Sequence, residues 1–219
     1  MLNATVTPAS SHAHQFDTAA QQREAATFGM WIFLATEVLF FGGMFLGYAI
    51  YRFIYPTSFA EASRQTLVFM GSVNTAVLLI SSAIMAFAVQ AARERRRAAL
   101  VKLLVTTAVL GAVFLGIKGI EYAHELSEHL LPGSGFHWQG PNAESVQMFF
   151  YLYFLMTGIH ALHVIIGVVL IVIFAWRAWR RDAFRANDTA VDLLGLYWHF
   201  VDIVWVFLFP LIYLVNRHS

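Results

Sequence analysis

The sequence predicts an all-α polytopic membrane protein, a single bundle of five transmembrane helices. Three observations predict it. Hydrophobic residues make up 59% of the 219 positions and charged residues only 12%, against roughly 45–50% and 25% in soluble domains. Five apolar stretches, over about 28–51, 66–92, 103–120, 147–176 and 193–215, match the length needed to cross a hydrocarbon core of about 30 Å. Nine of the fourteen Lys and Arg residues lie in two short loops between those stretches, the distribution expected of cytoplasmic loops.

Residues 1–27 are rich in Ala, Ser, Thr and Gln without apolar periodicity and read as a mobile tail. His12 and His14 in that tail lack a third ligand nearby and read as solvated. The first apolar run, 28–51, lacks a basic flank of the secretory kind and is longer than a signal-peptide core, so it is read as a membrane span. Its one acid, Glu37, lies near mid-span. An acid at that depth is costly unless it turns inward, pairs or is neutral, so two readings stand: a functional carboxyl, or a carboxyl hydrogen-bonded to a neighbouring helix for packing.

Residues 52–65, with Pro56 and mixed charge, read as a short connection. The second span contains Asn74, Thr75, Ser81 and Ser82, groups that need partners on neighbouring helices. A basic stretch follows with Arg93, Arg95, Arg96, Arg97 and Lys102, then the third span, ending at Lys118, Glu121 and Tyr122. The simplest reading of Lys118 is a side chain that snorkels to the interface; pairing with Glu121 or with a neighbouring subunit is the other. The next connection, 121–146, carries four Glu and no Lys or Arg. The fourth span contains His160 and His163. The second basic loop holds Arg177, Arg180, Arg181 and Arg185, and the fifth span contains His199 and Asp202. The charge distribution puts the N-terminus in the cytoplasm and the C-terminus outside. The same arginines are placed to meet lipid phosphates, each contributing about 1 kcal/mol near an anionic surface.

His199 and Asp202, three apart, are expected to pair along one helical face, and His160 and His163 to face one partner. Small residues four apart, Gly43 with Gly47 and Ala112 with Gly116, are expected where helices approach closely. Glu37, His160, His163, His199 and Asp202 could form a proton relay or a buried network that fixes helix register. There is no cysteine, which removes disulfides and thiolate chemistry. The net charge of +1 gives no field that would recruit nucleic acid.

Four stretches in order, Trp31–Phe41 (WIFLATEVLFF), Asn74–Ser82 (NTAVLLISS), Thr157–Gly167 (TGIHALHVIIG) and Tyr197–Leu208 (YWHFVDIVWVFL), resemble subunit III of the haem–copper oxidases and cover four of the five spans. The resemblance implies an accessory subunit of a cytochrome c oxidase in the bacterial cytoplasmic membrane. Such a subunit carries no haem or copper, packs beside the catalytic subunit I that holds them together with the other oxidase subunits, and binds phospholipids. It is thought to sustain proton uptake by its partner and to protect it from inactivation. Glu37, His160, His163, His199 and Asp202 inherit the motifs, and Glu121 with Tyr122 matches the family's Glu-Tyr pair. The departures are a five-helix form where many relatives have seven, Ile159 and Ala161 in place of Phe and Gly, and Lys118 in place of Gln. With five helices, the lipid cleft of the seven-helix form would need another chain to close it. Lys118 keeps a nitric-oxide-reductase-associated relative open, and the quinol-oxidase branch is a second neighbour.

Two other classes compete. A self-standing transporter would show an internal repeat or a broken helix, and the spans hold only Pro210 and no repeat. A metal-dependent membrane enzyme would use His124, Glu125, Glu128 and His129, where no third convergent ligand is evident.

Overall fold

A computed structural model describes residues 18–133, 135–180 and 188–214. They form six helices: α1 (Ala19–Ile54), α2 (Pro56–Gln65), α3 (Val68–Arg93), α4 (Arg97–Ser127), α5 (Ala143–Trp179) and α6 (Asp188–Tyr213). All but α2 are long and apolar enough to cross a membrane, and no strand occurs among the described residues.

The helices outrun the apolar stretches. At the start, Thr18 accepts a hydrogen bond from the Gln21 amide at 3.1 Å and caps α1, so residues 19–27 are helical rather than tail. Pro56, which forces the preceding residue out of the α region, ends α1 at Tyr55 and then opens α2 from its first position. The expected connection over 52–65 is therefore mostly a helix. Its Phe59 and Ala62 are wholly buried, with the Phe59 ring 5.4 Å from both Tyr48 of α1 and Phe149 of α5.

The basic stretch after α3 shrinks to a three-residue turn. Arg95 takes φ 57°, and the Arg95 and Arg96 amides return to the carbonyls of Ala92 and Ala91, a Schellman motif with arginine in the left-handed position. Residues 97–102 are good helix formers. Charge kept them out of lipid, but nothing kept them out of a helix. The same motif ends α4, with His129 at φ 56° and the Leu130 amide on Glu125 O.

The core is built by α3, α4, α5 and α6. Only 11% of the most apolar stretch of α1 is buried, against 56% for α6; α1 leans on α2, α5 and α6. Trp198 of α6 is fully buried between two glycines. A Cβ on Gly111 of α4 would lie 2.8 Å from its ring and 2.6 Å from Val168, and a Cβ on Gly167 of α5 also 2.8 Å from the ring. The small-residue pairs expected at close approaches do not serve that purpose here. Gly43, Gly47 and Gly116 have open space where a Cβ would go, and the close contacts fall at Gly111 and Gly167 instead.

Candidate functional site

Polar groups within the bundle gather in three places. The first lies where α1 meets α5. Glu37 Oε2 sits 3.2 Å from His163 Nε2, with the two side chains 18% and 14% exposed. The other ring nitrogen, Nδ1, lies 2.9 Å from the carbonyl of Ile159. A carbonyl only accepts, so Nδ1 carries the hydrogen and Nε2 is the nitrogen turned to the carboxyl. The two atoms lie at ion-pair distance but not in ordinary hydrogen-bond geometry, and Oε2 is buried without a hydrogen bond. Phe41 packs edge-on against the imidazole at 5.3 Å, and Tyr197 donates its hydroxyl to the His163 carbonyl at 3.0 Å. The pair opens on a cleft of about 570 Å³ between α1, α5 and α6, whose walls include Met30, Phe33, Leu170 and Leu194. Its chemistry suits an apolar chain passing one polar pair.

The second place is the end of the bundle away from the basic turns. Lys118 is 3% exposed, so it does not snorkel as expected. Its Nζ donates to Glu121 Oε2 at 3.1 Å, to the Tyr153 hydroxyl at 2.9 Å and to the Tyr213 hydroxyl at 2.7 Å. Both tyrosines donate in turn to Glu121 Oε1, at 3.1 and 2.6 Å. Glu125, one turn further along α4, is 2% exposed and neither of its oxygens has a hydrogen bond of ordinary geometry. The i, i+3 spacing of Lys118 and Glu121 was visible in the sequence, but their tyrosine partners from α5 and α6 were not, because nothing local marks them.

The third place is the interior between α3 and α6. His199 does not pair with Asp202; its Nδ1 lies 2.7 Å from Ser82 Oγ. Asp202, 3% exposed, has no hydrogen bond of ordinary geometry at either oxygen. Residues three apart share a face only loosely, and here Ser82 on the next helix takes the imidazole. Nor do His160 and His163 face one partner. His160 is fully buried, stacks on Trp205 at 5.1 Å and meets Phe114 edge-on at 5.7 Å, with neither ring nitrogen bonded. Of the five residues of the expected relay, Glu37 and His163 meet, and no direct hydrogen bond joins them to His160, His199 or Asp202.

The arginines at the basic end have mixed employment. Arg93 pairs with Asp192 at 3.1 Å and Arg96 with Glu94 at 3.4 Å. Arg97 donates to the carbonyls of Ala178, at 2.6 Å, and Trp179, closing the end of α5. Arg180 lies over the Trp176 ring at 4.5 Å. Arg95 and Arg177 are exposed, and Arg181 and Arg185 lie outside the described residues, as do His12 and His14. Among the described residues no group of three or more His, Cys, Asp or Glu could hold a metal ion. That includes the set a metal-dependent enzyme would have used, His124, Glu125, Glu128 and His129, from which Glu125 turns into the core.

Comparison with known proteins places this geometry. The family model described as cytochrome c oxidase subunit III matches residues 8–217. A cytochrome c oxidase subunit 3 from Synechocystis is 33% identical over 98% of this chain and 84% of its own length, and one from Thermostichus vulcanus 33% identical over 92% of each. A cytochrome bo(3) ubiquinol oxidase subunit 3 from Pseudomonas aeruginosa is 29% identical over 99% of this chain and 97% of its own length.

Proposed function

Since the chain belongs to the cytochrome c oxidase subunit III family of the haem–copper oxidases, we propose that it is the accessory subunit of a respiratory oxidase fed by cytochrome c. That oxidase reduces oxygen to water and moves protons, and this chain supplies no redox centre. Haem and copper belong to the catalytic subunit I, beside which this chain packs in the bacterial cytoplasmic membrane, N-terminus in the cytoplasm and C-terminus outside. Its work is physical: it covers one flank of the catalytic subunit, holds phospholipid against it and keeps the proton-entry side in working geometry. The observation that supports the cytochrome c branch is the pair of 33% identical relatives named for it.

The cleft beside Glu37 and His163 supports the lipid role. It is lined almost wholly by apolar side chains and carries one polar pair at mid-span, which fits an acyl chain. The enclosed bonds among Lys118, Glu121, Tyr153 and Tyr213 support the structural role, since buried polar bonds between helices fix their register.

The quinol branch is the second reading, favoured by the Pseudomonas relative that matches over nearly its full length. One experiment separates them. A tag on this chain is used to purify the complex in mild detergent, and its optical spectrum, subunit masses and oxygen uptake with reduced cytochrome c or with quinol are recorded. Haem bands with uptake driven by cytochrome c support the proposal; uptake driven by quinol alone assigns the other branch. A colourless chain purified without partners, from respiring cells, overturns both.

A further inference from the structure

A second apolar groove lies on the opposite side of α5 from the Glu37 cleft, between α4 and α5, with a volume of about 540 Å³. Its α4 wall includes Val101, Val105 and Ala112, and its α5 wall includes Val168, Val172 and Trp176. Small residues open it: Ala108 and Ala112 on α4 and Ala175 on α5 leave room that Leu or Phe would fill. Beyond Val168 the two helices close, because Gly111 brings α4 against that side chain. From Val101 to Ala112 the groove runs about 16 Å along α4, near half of a hydrocarbon core of about 30 Å.

Its open end carries charge of one sign. Residues four apart stack on one helical face, so the α4 wall continues from Val101 to Arg97 and the α5 wall from Trp176 to Arg180. Both positions are arginines. Arg180 is exposed and held over Trp176, a lining residue, at 4.5 Å. Arg97 reaches across to the last carbonyls of α5 with Nε and one terminal nitrogen, which leaves N–H groups of its guanidinium unspent. Trp179, also in the lining, is exposed as tryptophans at a membrane interface are. An apolar groove one leaflet deep that ends between two guanidinium groups is complementary to one amphiphile: an acyl chain bearing an anionic head.

We propose that the α4–α5 groove is a binding site for an anionic phospholipid, with one acyl chain along Val105, Ala112 and Val172 and the phosphate at Arg180 and Arg97. The site shares no residue with the Glu37–His163 cleft. It depends neither on which electron donor the complex uses nor on which way the chain is oriented, so its failure leaves the proposed function standing.

The test uses the complex purified through this chain and placed in phosphatidylcholine nanodiscs containing a phospholipid probe with a photoreactive diazirine in its tail. Labelled peptides are mapped by mass spectrometry for phosphatidylglycerol and phosphatidylcholine probes. The expected result is preferential labelling of the groove walls by phosphatidylglycerol. Arg180→Gln lowers it about fivefold, the loss of one arginine's contribution near an anionic head, with the phosphatidylcholine signal unchanged, and Arg180→Lys restores most of it. Ala112→Phe, which plugs the groove from its open side, removes the wall labelling for both probes. Equal labelling by the two probes, or phosphatidylglycerol labelling indifferent to Arg180→Gln, reduces the groove to ordinary lipid contact and overturns the proposal. Walls unlabelled by either probe assign the groove to a protein neighbour and overturn it too. Should Ala112→Phe fail to assemble, the exposed Arg180 substitutions still decide.

Discussion

Two acid–base pairs in this molecule, Lys118 with Glu121 and His163 with Glu37, differ in how they are enclosed and bonded. Lys118 and Glu121 are closed inside α4, α5 and α6: the three N–H groups of Nζ meet three acceptors, and both acceptor hydroxyls donate back to Glu121. Glu37 and His163 face each other at 3.2 Å across the joint between α1 and α5, on the wall of an open cleft. The first arrangement is enclosed by the chain, although Glu125 beside it has no hydrogen bond of ordinary geometry. The second stands beside the cleft with Glu37 Oε2 buried and without a hydrogen bond of ordinary geometry. A buried pair bonded to partners on two other helices holds those helices in register, whereas an acid in a membrane span without a hydrogen bond of ordinary geometry is where function is to be sought.

The comparison breaks first at Lys118. Lys118→Met strands Glu121 in the core, and removing one partner of a buried pair costs about 3–5 kcal/mol. The expected outcome is loss of the folded chain from the purified complex, with Lys118→Met combined with Glu121→Gln recovering part of it. A Lys118→Met protein that withstands detergent as well as the parent would show that the network does not hold the bundle. Next comes Gly111→Ala. A methyl group there meets Val168 at 2.6 Å and Trp198 at 2.8 Å, and overpacking of this kind costs about 1–3 kcal/mol. Gly43→Ala on α1, where the space is open, is expected to leave the unfolding midpoint in micelles unchanged. Equal losses at the two glycines would mean that α1 is packed by another chain as tightly as α4 is packed here.

A smaller effect separates Ser82 from Asp202. Ser82→Ala removes the only hydrogen-bond partner shown for His199 Nδ1 and is expected to cost about 1 kcal/mol. Asp202→Asn keeps the shape and breaks no bond of ordinary geometry, so its expected cost is within about 0.5 kcal/mol. Retention of each variant through detergent washing gives the ranking. If Asp202→Asn loosens the subunit more than Ser82→Ala does, the Asp202 carboxyl, which faces Ser82, matters more to the α3–α6 interface than the Ser82–His199 bond.

The fold was legible because lipid imposes it: no other solvent selects apolar runs of this length so sharply. The helix ends were less so. Charge marks where lipid stops, and α1, α4 and α5 run past that point because arginine, alanine and glutamate are content in a helix. Spacing along one helix identified candidates but misjudged partners. His199 and Asp202 looked like a pair at i, i+3, yet Ser82 across the interface took the histidine. Glu37 with His163, and Tyr153 with Tyr213 around Lys118, are contacts between helices, and those depend on rotations that the sequence of any one helix does not state. Trp198 was visible as a motif residue, but the two glycines that admit it lie 31 and 87 positions earlier and belong to different helices.

The smallest expected change in stability tests the open half of the comparison. Glu37→Ala removes a mostly buried carboxyl that has one ion-pair neighbour and no hydrogen bond of ordinary geometry at Oε2, so the fold should change by no more than about 0.5 kcal/mol, because no such bond is lost there. Its effect falls on the working complex. Without Glu37, His163 Nε2 has no partner across the joint, and the cleft keeps its apolar walls but loses the polar pair at mid-span. The expected outcome is a complex of normal subunit and lipid content that loses activity sooner during turnover than the parent does. Glu37→Gln, which keeps the shape but cannot exchange a proton with Nε2, should shorten the lifetime as Ala does if proton exchange is what matters. If Gln preserves the lifetime and Ala shortens it, the pair serves only to shape the cleft. An unchanged lifetime in both variants would mean that the open pair, for all its exposure, is as structural as the closed one.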